Sequence, residues 1–62
     1  MSSYHFERAD EAREAALRVA SLGFHATVQD VTYKKYTTHH LVALDCPWSE
    51  LVKIVGDLMD ER

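Results

Sequence analysis

The chain has 62 residues, of which 47% are hydrophobic and 27% are charged, and its formal net charge is −3 at pH 7. A chain this short forms one domain, whose small core needs a supplement such as a disulfide, a structural metal or a second copy. One cysteine excludes an intrachain disulfide, and four histidines beside it match no structural zinc spacing. Self-association is therefore the expected supplement, and we expect no cofactor or metal.

The mild acidity of the chain provides no electrostatic attraction to nucleic acid or to an anionic membrane surface. The sequence has no run of about 20 apolar residues that would form a transmembrane helix. Its first residues, MSSYHFERADEAR, contain no apolar segment of signal-peptide length. The expected location is the cytoplasm, without membrane contact.

The first part of the chain predicts a strand and then a helix. Ser3 to Arg8 alternates, with Tyr4 and Phe6 on one side, which is typical of a half-buried strand. Ala9 to Leu22 is rich in alanine and straight-chain residues, which favour helix, and Gly23 follows as a left-handed cap. The apolar residues of this helix that are expected to face the core are Ala12, Ala15, Ala16, Val19, Ala20 and Leu22.

The second part predicts two strands and a second helix. Phe24 to Thr32 and Tyr36 to Asp45 are rich in β-branched and aromatic residues, and the polar pair Lys34-Lys35 marks a turn between them. The helix begins near Pro47, a residue favoured at the first helical position. Gly56 indicates a close approach to the alanine face of the first helix. The expected core residues of the second helix are Trp48, Leu51, Val52, Ile54, Val55, Leu58 and Met59.

These elements predict an α+β fold in the order β-α-β-β-α over residues 1–62. A right-handed crossover makes the first two strands parallel, and the third strand then lies between them in the order 1-3-2. Both helices are expected to pack on one face of the sheet. The arrangement resembles a ferredoxin-like sandwich that lacks its fourth strand, which leaves the first strand as an open edge.

The hairpin allows two registers. With a two-residue turn at Lys34-Lys35, Leu41 and Ala43 face the helices, whereas a three-residue turn puts Val42 and Leu44 there instead. Lysine is an unfavourable residue in a type I′ turn, so both registers stay open at this point. In either register, half of this apolar run faces away from the helices. Because a continuous apolar run is typical of a strand buried on both faces, we expect a partner to cover the far face.

The leading functional interpretation is a small non-catalytic interaction module that works through its open sheet face or its edge strand. A homodimer is the expected form, acting as a regulator or inhibitor of a larger protein. The residues expected to form the protein interface are Thr27, Gln29, Val31, His40, Val42 and Leu44.

Two alternatives use other residues. The predicted hairpin tip consists of Tyr33, Lys34, Lys35 and Tyr36. It combines basic side chains with aromatic rings, as sites that bind single-stranded nucleic acid do. A shared cluster of His5, His25 and either His39 or His40 would form a metal site or a pH-sensitive interface.

Catalysis is not expected from this sequence. Cys46 precedes Pro47 at a helix start, where the helix dipole would lower the pKa of a thiol. No oxyanion-hole pattern and no third residue that would orient a catalytic base accompany it. Trp48 is expected to cap the core at the head of the second helix.

Overall fold

The computed structural model describes residues 2–61. It contains β1 (Ser2–Phe6), α1 (Ala9–Ser21), β2 (Ala26–Tyr33), β3 (Tyr36–Ala43) and α2 (Trp48–Asp60). The strands form one antiparallel three-stranded sheet in the order β1-β3-β2. The predicted α+β class, element order and strand order are therefore confirmed. Neither helix within residues 2–61 is long and apolar enough to cross a membrane.

The hairpin between β2 and β3 has the two-residue turn. Tyr33 pairs with Tyr36 and Val28 with Leu41, which settles the register that the sequence left open. Lys34 has a φ of 56°, the left-handed region that a type II′ turn needs at its first central position, where glycine is usual. Leu41 is consequently buried against the helices.

The end of α1 is built by glycine, as the sequence predicts. Gly23 has a φ of 93°, and its N–H donates to the carbonyl of Ala20 at 3.0 Å. The N–H of Phe24 donates to the carbonyl of Val19 at 3.4 Å. These two bonds form a Schellman motif, which satisfies the last carbonyls of the helix and turns the chain toward β2.

Both helices pack on the same face of the sheet, where they enclose one core. Partly buried Tyr4, Ala26 and Val28 extend this core along the strands. Its buried hydrophobic members are Phe6, Ala12, Ala15, Val19, Leu41, Ala43, Cys46, Leu51, Ile54, Val55 and Leu58. The small side chains of α1 let that helix lie close to the sheet, but Ala20 and Leu22, which were expected in its apolar stripe, are exposed because they lie to either side of the buried line.

The second helix departs further from the sequence prediction. Trp48, Val52 and Met59 were expected in the core, but they are 55%, 45% and 40% exposed. They lie on one flank of the buried stripe of α2, next to buried Val55. Gly56 does not mark a close approach, because a Cβ added there would meet no other described atom within 4 Å beyond its own helix backbone.

Several boundaries shift because end residues form caps. Arg8 is the N-cap of α1 instead of the last residue of β1, and Phe24 belongs to the helix cap instead of β2. Pro47 is the N-cap of α2 instead of its first helical residue. Asp45 lies beyond β3 and accepts a hydrogen bond from the backbone N–H of His25 at 2.8 Å.

Candidate functional site

The sheet has a second face, opposite the helices, which we call the open face. Alternate residues of the three strands form it, as the pairings of Ser3 with Val42 and of Gln29 with His40 define. Its members are Ser3, His5, Thr27, Gln29, Val31, Tyr33, Tyr36, Thr38, His40 and Val42.

The structure brings the sequence-predicted interface residues together on this face. Thr27 pairs with Val42, and Gln29 pairs with His40, across adjacent strands. Leu44 follows the end of β3, where its N–H donates to the carbonyl of His25 at 3.1 Å. Val31, Val42 and Leu44 give the face apolar area outside the core, since Val31 is 44% and Leu44 60% exposed.

The open face carries no charged side chain of the Asp, Glu, Lys or Arg type. All ten positions are hydroxyl, amide, imidazole, phenol or aliphatic residues, although 27% of the chain is charged. The charged residues lie on the helices, in the turns and loops, and at Asp30 on the helix side of β2. The result is one neutral surface on an otherwise charged molecule.

Two histidines meet near the middle of the open face. The rings of His5 and His40 stack with centroids 3.8 Å apart and an angle of 15° between their planes. His40 is also held by Thr38, with 3.0 Å between Nε2 and the hydroxyl oxygen. The stack joins β1 to β3 across the open face, where His5 pairs with His40.

The other two histidines do not join this pair, so the predicted three-histidine cluster is wrong. His39 points to the helix side, where its Nδ1 lies 2.6 Å from a carboxylate oxygen of Asp30. His25 Nδ1 lies 3.2 Å from Asp45. The pKa of Asp45 is lowered from its ordinary value, first by the backbone hydrogen bond from His25 and then by the imidazole. Among residues 2–61, no group of three or more His, Cys, Asp or Glu residues is arranged to hold a metal ion.

The hairpin tip presents the residues of the nucleic-acid alternative to solvent. Tyr33 and Tyr36 are 71% and 77% exposed, and they pair across the turn. The Nζ of Lys34 lies 5.5 Å from the centroid of the Tyr33 ring, within cation–π range. Both rings belong to the open face and extend it to the tip.

Cys46 is not activated by the helix start. The side chain is buried, and burial raises the pKa of its thiol, with a further contribution from the negative charges of Glu50 and Asp45. The expectation of a lowered pKa is therefore wrong, because desolvation outweighs the helix dipole at this position. The carbonyl of Cys46 accepts a hydrogen bond from the hydroxyl of Ser2 at 2.8 Å, which ties β1 to the loop before α2.

A further surface, which we call the edge groove, lies along the free edge of β1 and was missed by sequence reasoning beyond the expectation of an open edge. A cleft of about 320 Å³ follows Tyr4 to Arg8 and reaches Glu11 and Met59. The rings of Tyr4 and Trp48 stack nearby with centroids 6.4 Å apart. The sequence signal is the width of the apolar arc of α2, in which Trp48, Val52 and Met59 form the flank beside the buried residues.

Comparison with known proteins adds no relative to this description. The chain matches no protein-family model, no curated protein and no solved structure. The resemblance to a ferredoxin-like sandwich that lacks one strand is therefore not confirmed by a structural neighbour and stays a prediction from the element order.

Proposed function

We propose that the chain is a non-catalytic protein-interaction module that pairs with a second copy of itself through the open face. In its fuller form, the proposal is that this homodimer regulates or inhibits a larger protein in the cytoplasm. The observation that carries it is the absence of charged side chains from all ten open-face positions. Depletion of charge, more than overall hydrophobicity, distinguishes the centre of a protein interface from ordinary surface.

The net charge favours a second copy as the occupant of this face. Each copy carries a formal charge of −3, so two copies repel one another where their charged surfaces approach. The open face is the large surface on which two copies can meet without bringing like charges together. A twofold axis lying between the two sheets would pair the face with itself.

The small core supports a need for such pairing. The largest fully buried side chains are Leu41, Leu51 and Val19, and several other buried residues are alanines. A core of this size leaves a domain only marginally stable. Burying Val31 and Val42 between two copies would add apolar contact that the helices do not provide.

The size of the face predicts a weak dimer. Three strands spaced about 4.8 Å apart, of which the two longer have eight residues rising about 3.3 Å each, give a face of at most roughly 14 by 26 Å. Its flat area is about half of the ~800 Å² that each partner buries in a standard interface. We therefore expect a dissociation constant in the micromolar range or weaker.

A charge placed on an apolar position of the open face tests the proposal. In Val31→Lys, dimerisation would bury two like charges, so we expect the dissociation constant to rise on the order of tenfold or more. The matched control is Thr32→Lys, because Thr32 is the next residue, is also exposed and points to the helix side. Sedimentation equilibrium of both variants and the parent chain measures the effect, and circular dichroism verifies that each variant folds. Equal dissociation constants for Val31→Lys and the parent chain would contradict pairing through this face.

A second candidate function is the binding of single-stranded nucleic acid at the hairpin tip. It is favoured by the exposure of Tyr33 and Tyr36, whose rings offer stacking surfaces beside Lys34 and Lys35. The negative charge of the whole chain opposes it, which is why it ranks second.

Fluorescence anisotropy with a labelled single-stranded oligonucleotide tests this candidate. The candidate predicts binding at low salt that weakens as salt is raised, and Lys34→Glu should weaken it further. Lys53→Glu makes the same charge change on α2, away from the tip, and serves as the control. The candidate fails if nothing binds at low salt, or if both substitutions weaken binding equally.

A further inference from the structure

We propose that the edge groove is an acceptor site for an extended segment of another protein, which adds to the sheet as a strand beside β1. The segment that fits has apolar side chains at alternate positions and a basic residue at the end that lies near Glu7. This site adjoins the open face and shares only His5 with it. It shares with the proposed function only the premise that the chain binds protein, and failure of the homodimer leaves it intact.

The backbone of β1 provides the hydrogen-bonding edge of this site. In the sheet formed by residues 2–61, β1 pairs with β3 on one side only. An edge strand presents a row of N–H and C=O groups, and an added strand satisfies that row with main-chain hydrogen bonds. β1 has no charged residue and no proline, since its sequence is SSYHF. The usual features that protect an edge from pairing are missing from the strand itself.

The helix α2 provides apolar surface for this site. This helix packs over β1, whereas α1 packs mainly over β2 and β3. One flank of this helix carries Trp48, Val52 and Met59. Their spacings of four and seven residues align them along the helix. These three side chains are 40% to 55% exposed. The apolar surface of α2 therefore continues from the buried residues to an exposed flank, where the ring of Trp48 stacks with that of Tyr4 on β1.

The shape of the groove fits an extended chain. The cleft of about 320 Å³ contacts consecutive strand residues from Tyr4 to Phe6, whose side chains point to opposite faces of the sheet. A cavity that touches both must lie alongside the backbone edge, under Met59. A concave site beside a strand edge accommodates a single extended chain. A second copy of this domain would bring its own α2 into the space where the exposed flank of α2 already lies.

The opposite edge of the sheet shows the contrast. The edge at β2 also borders a cleft, lined by Ala9, Arg13, Val28 and Asp30. Its charged lining includes an acidic residue on the strand itself, and such a charge discourages strand addition. The neighbouring face of α1 presents alanines in place of large apolar side chains. Strand addition is thus directed to β1.

Charge identifies the chemistry of the segment. The residues from Glu7 to Glu11 comprise three acids and one base. That base, Arg8, is already engaged by Asp10 at 3.2 Å and Glu11 at 3.9 Å. The carboxylate of Glu7 makes this end of the groove acidic, and a lysine or arginine of the incoming segment would complement it.

Selection from a displayed library of random short peptides tests the proposal. The bait is the full chain, and a variant carrying Val52→Lys and Met59→Lys serves for counter-selection, since both residues are exposed and tolerate the change without loss of the core. We expect enrichment of peptides with alternating apolar residues, a basic residue at one end and no central proline. Failure of any peptide to prefer the parent chain over this variant would overturn the proposal.

Amide hydrogen exchange then locates the selected peptide. Bound peptide should slow exchange at the amides of β1 that face the free edge, and the paired variant should bind on the order of tenfold more weakly. Leu17→Lys, at an apolar position on α1 that is 66% exposed, should leave the affinity unchanged. Glu7→Lys should weaken a peptide with a basic end and strengthen its counterpart with an acidic end.

Three outcomes would contradict the site. Slowed exchange confined to β2 or the open face would place the peptide elsewhere. Equal weakening by Leu17→Lys would show a nonspecific hydrophobic interaction. If the β1 amides exchange more slowly as the protein concentration is raised, without any peptide, the edge would instead bind a second copy of the chain.

Discussion

Cys46 shows how burial decides the chemistry of a single residue. Its side chain is 2% exposed, between the end of β3 and the start of α2. The helix dipole favours a thiolate there, but burial and the nearby carboxylates of Asp45 and Glu50 favour the neutral thiol and raise the pKa. The structural role of this residue is packing, together with its carbonyl contact to Ser2.

We predict that Cys46 resists alkylation in the folded chain. Iodoacetamide at neutral pH should modify it slowly in buffer and rapidly in denaturant, because the reagent needs an accessible thiolate. Mass spectrometry over time measures both rates. Equal rates in the two conditions would show that the thiol is exposed in the folded state.

The same residue predicts a direction for the pH dependence of stability. Its folded pKa is raised above the ordinary value of 9.0, so its contribution is complete below that value and is lost as the pH rises through the folded pKa. A Cys46→Ser variant is less suitable because it would bury a hydroxyl, which costs more to desolvate than a thiol. Cys46→Ala removes the titration, and its free energy of unfolding should fall less between neutral and alkaline pH than that of the parent chain.

At the scale of elements, α2 carries an unused opportunity for stability at Gly56. Glycine in a helix interior lowers stability because the unfolded chain has more freedom to lose. Open space surrounds the position of a Cβ at Gly56, and the residue is exposed. No packing reason for glycine exists among the described residues around it.

We predict that Gly56→Ala raises the free energy of unfolding by up to about 1 kcal/mol. Urea denaturation of both chains measures the difference. The same substitution at Gly23 is the control and should lower stability, because a φ of 93° is strained for any residue with a Cβ. A loss of stability in Gly56→Ala would mean that the residue has a close neighbour after all.

Elements were predictable from the sequence where local chemistry determines them. Gly23 ends α1 by a local motif, and alternation in β2 and β3 indicates strands without reference to the rest of the chain. The hairpin register was not predictable, because Lys34 takes a positive φ that its residue type disfavours. The sheet overrides that preference, since only the two-residue turn brings both Leu41 and Val28 under the helices.

The exposure of Trp48, Val52 and Met59 was also beyond the sequence. Periodicity shows that one side of α2 is apolar, but it does not show how wide the sheet beneath that side is. α2 packs over the edge strand β1, and these three side chains stay exposed at the flank of its buried stripe. The open face was predictable to residue level once the register was known, and the stack of His5 on His40 depended on the pairing of β1 with β3.

The whole molecule is thin, with extents of 34 × 26 × 16 Å. One sheet and one layer of helices account for the short dimension, and two surfaces are left for partners. The open face is neutral and broad, which suits a second copy. The edge groove is narrow, concave and acidic at one end, which suits an extended basic segment. The two surfaces meet at His5 and otherwise use different residues.

Pairing of two copies through their open faces can be tested directly by nuclear magnetic resonance. A sample of isotope-labelled and unlabelled chains, mixed at millimolar concentration, allows nuclear Overhauser effects between copies to be separated from those within one copy. If two copies pair in this way, we expect intermolecular cross-peaks from the methyl groups of Val31 and Val42 to open-face side chains of the other copy. The absence of intermolecular cross-peaks, or their restriction to Trp48 and Val52 on α2, would contradict it.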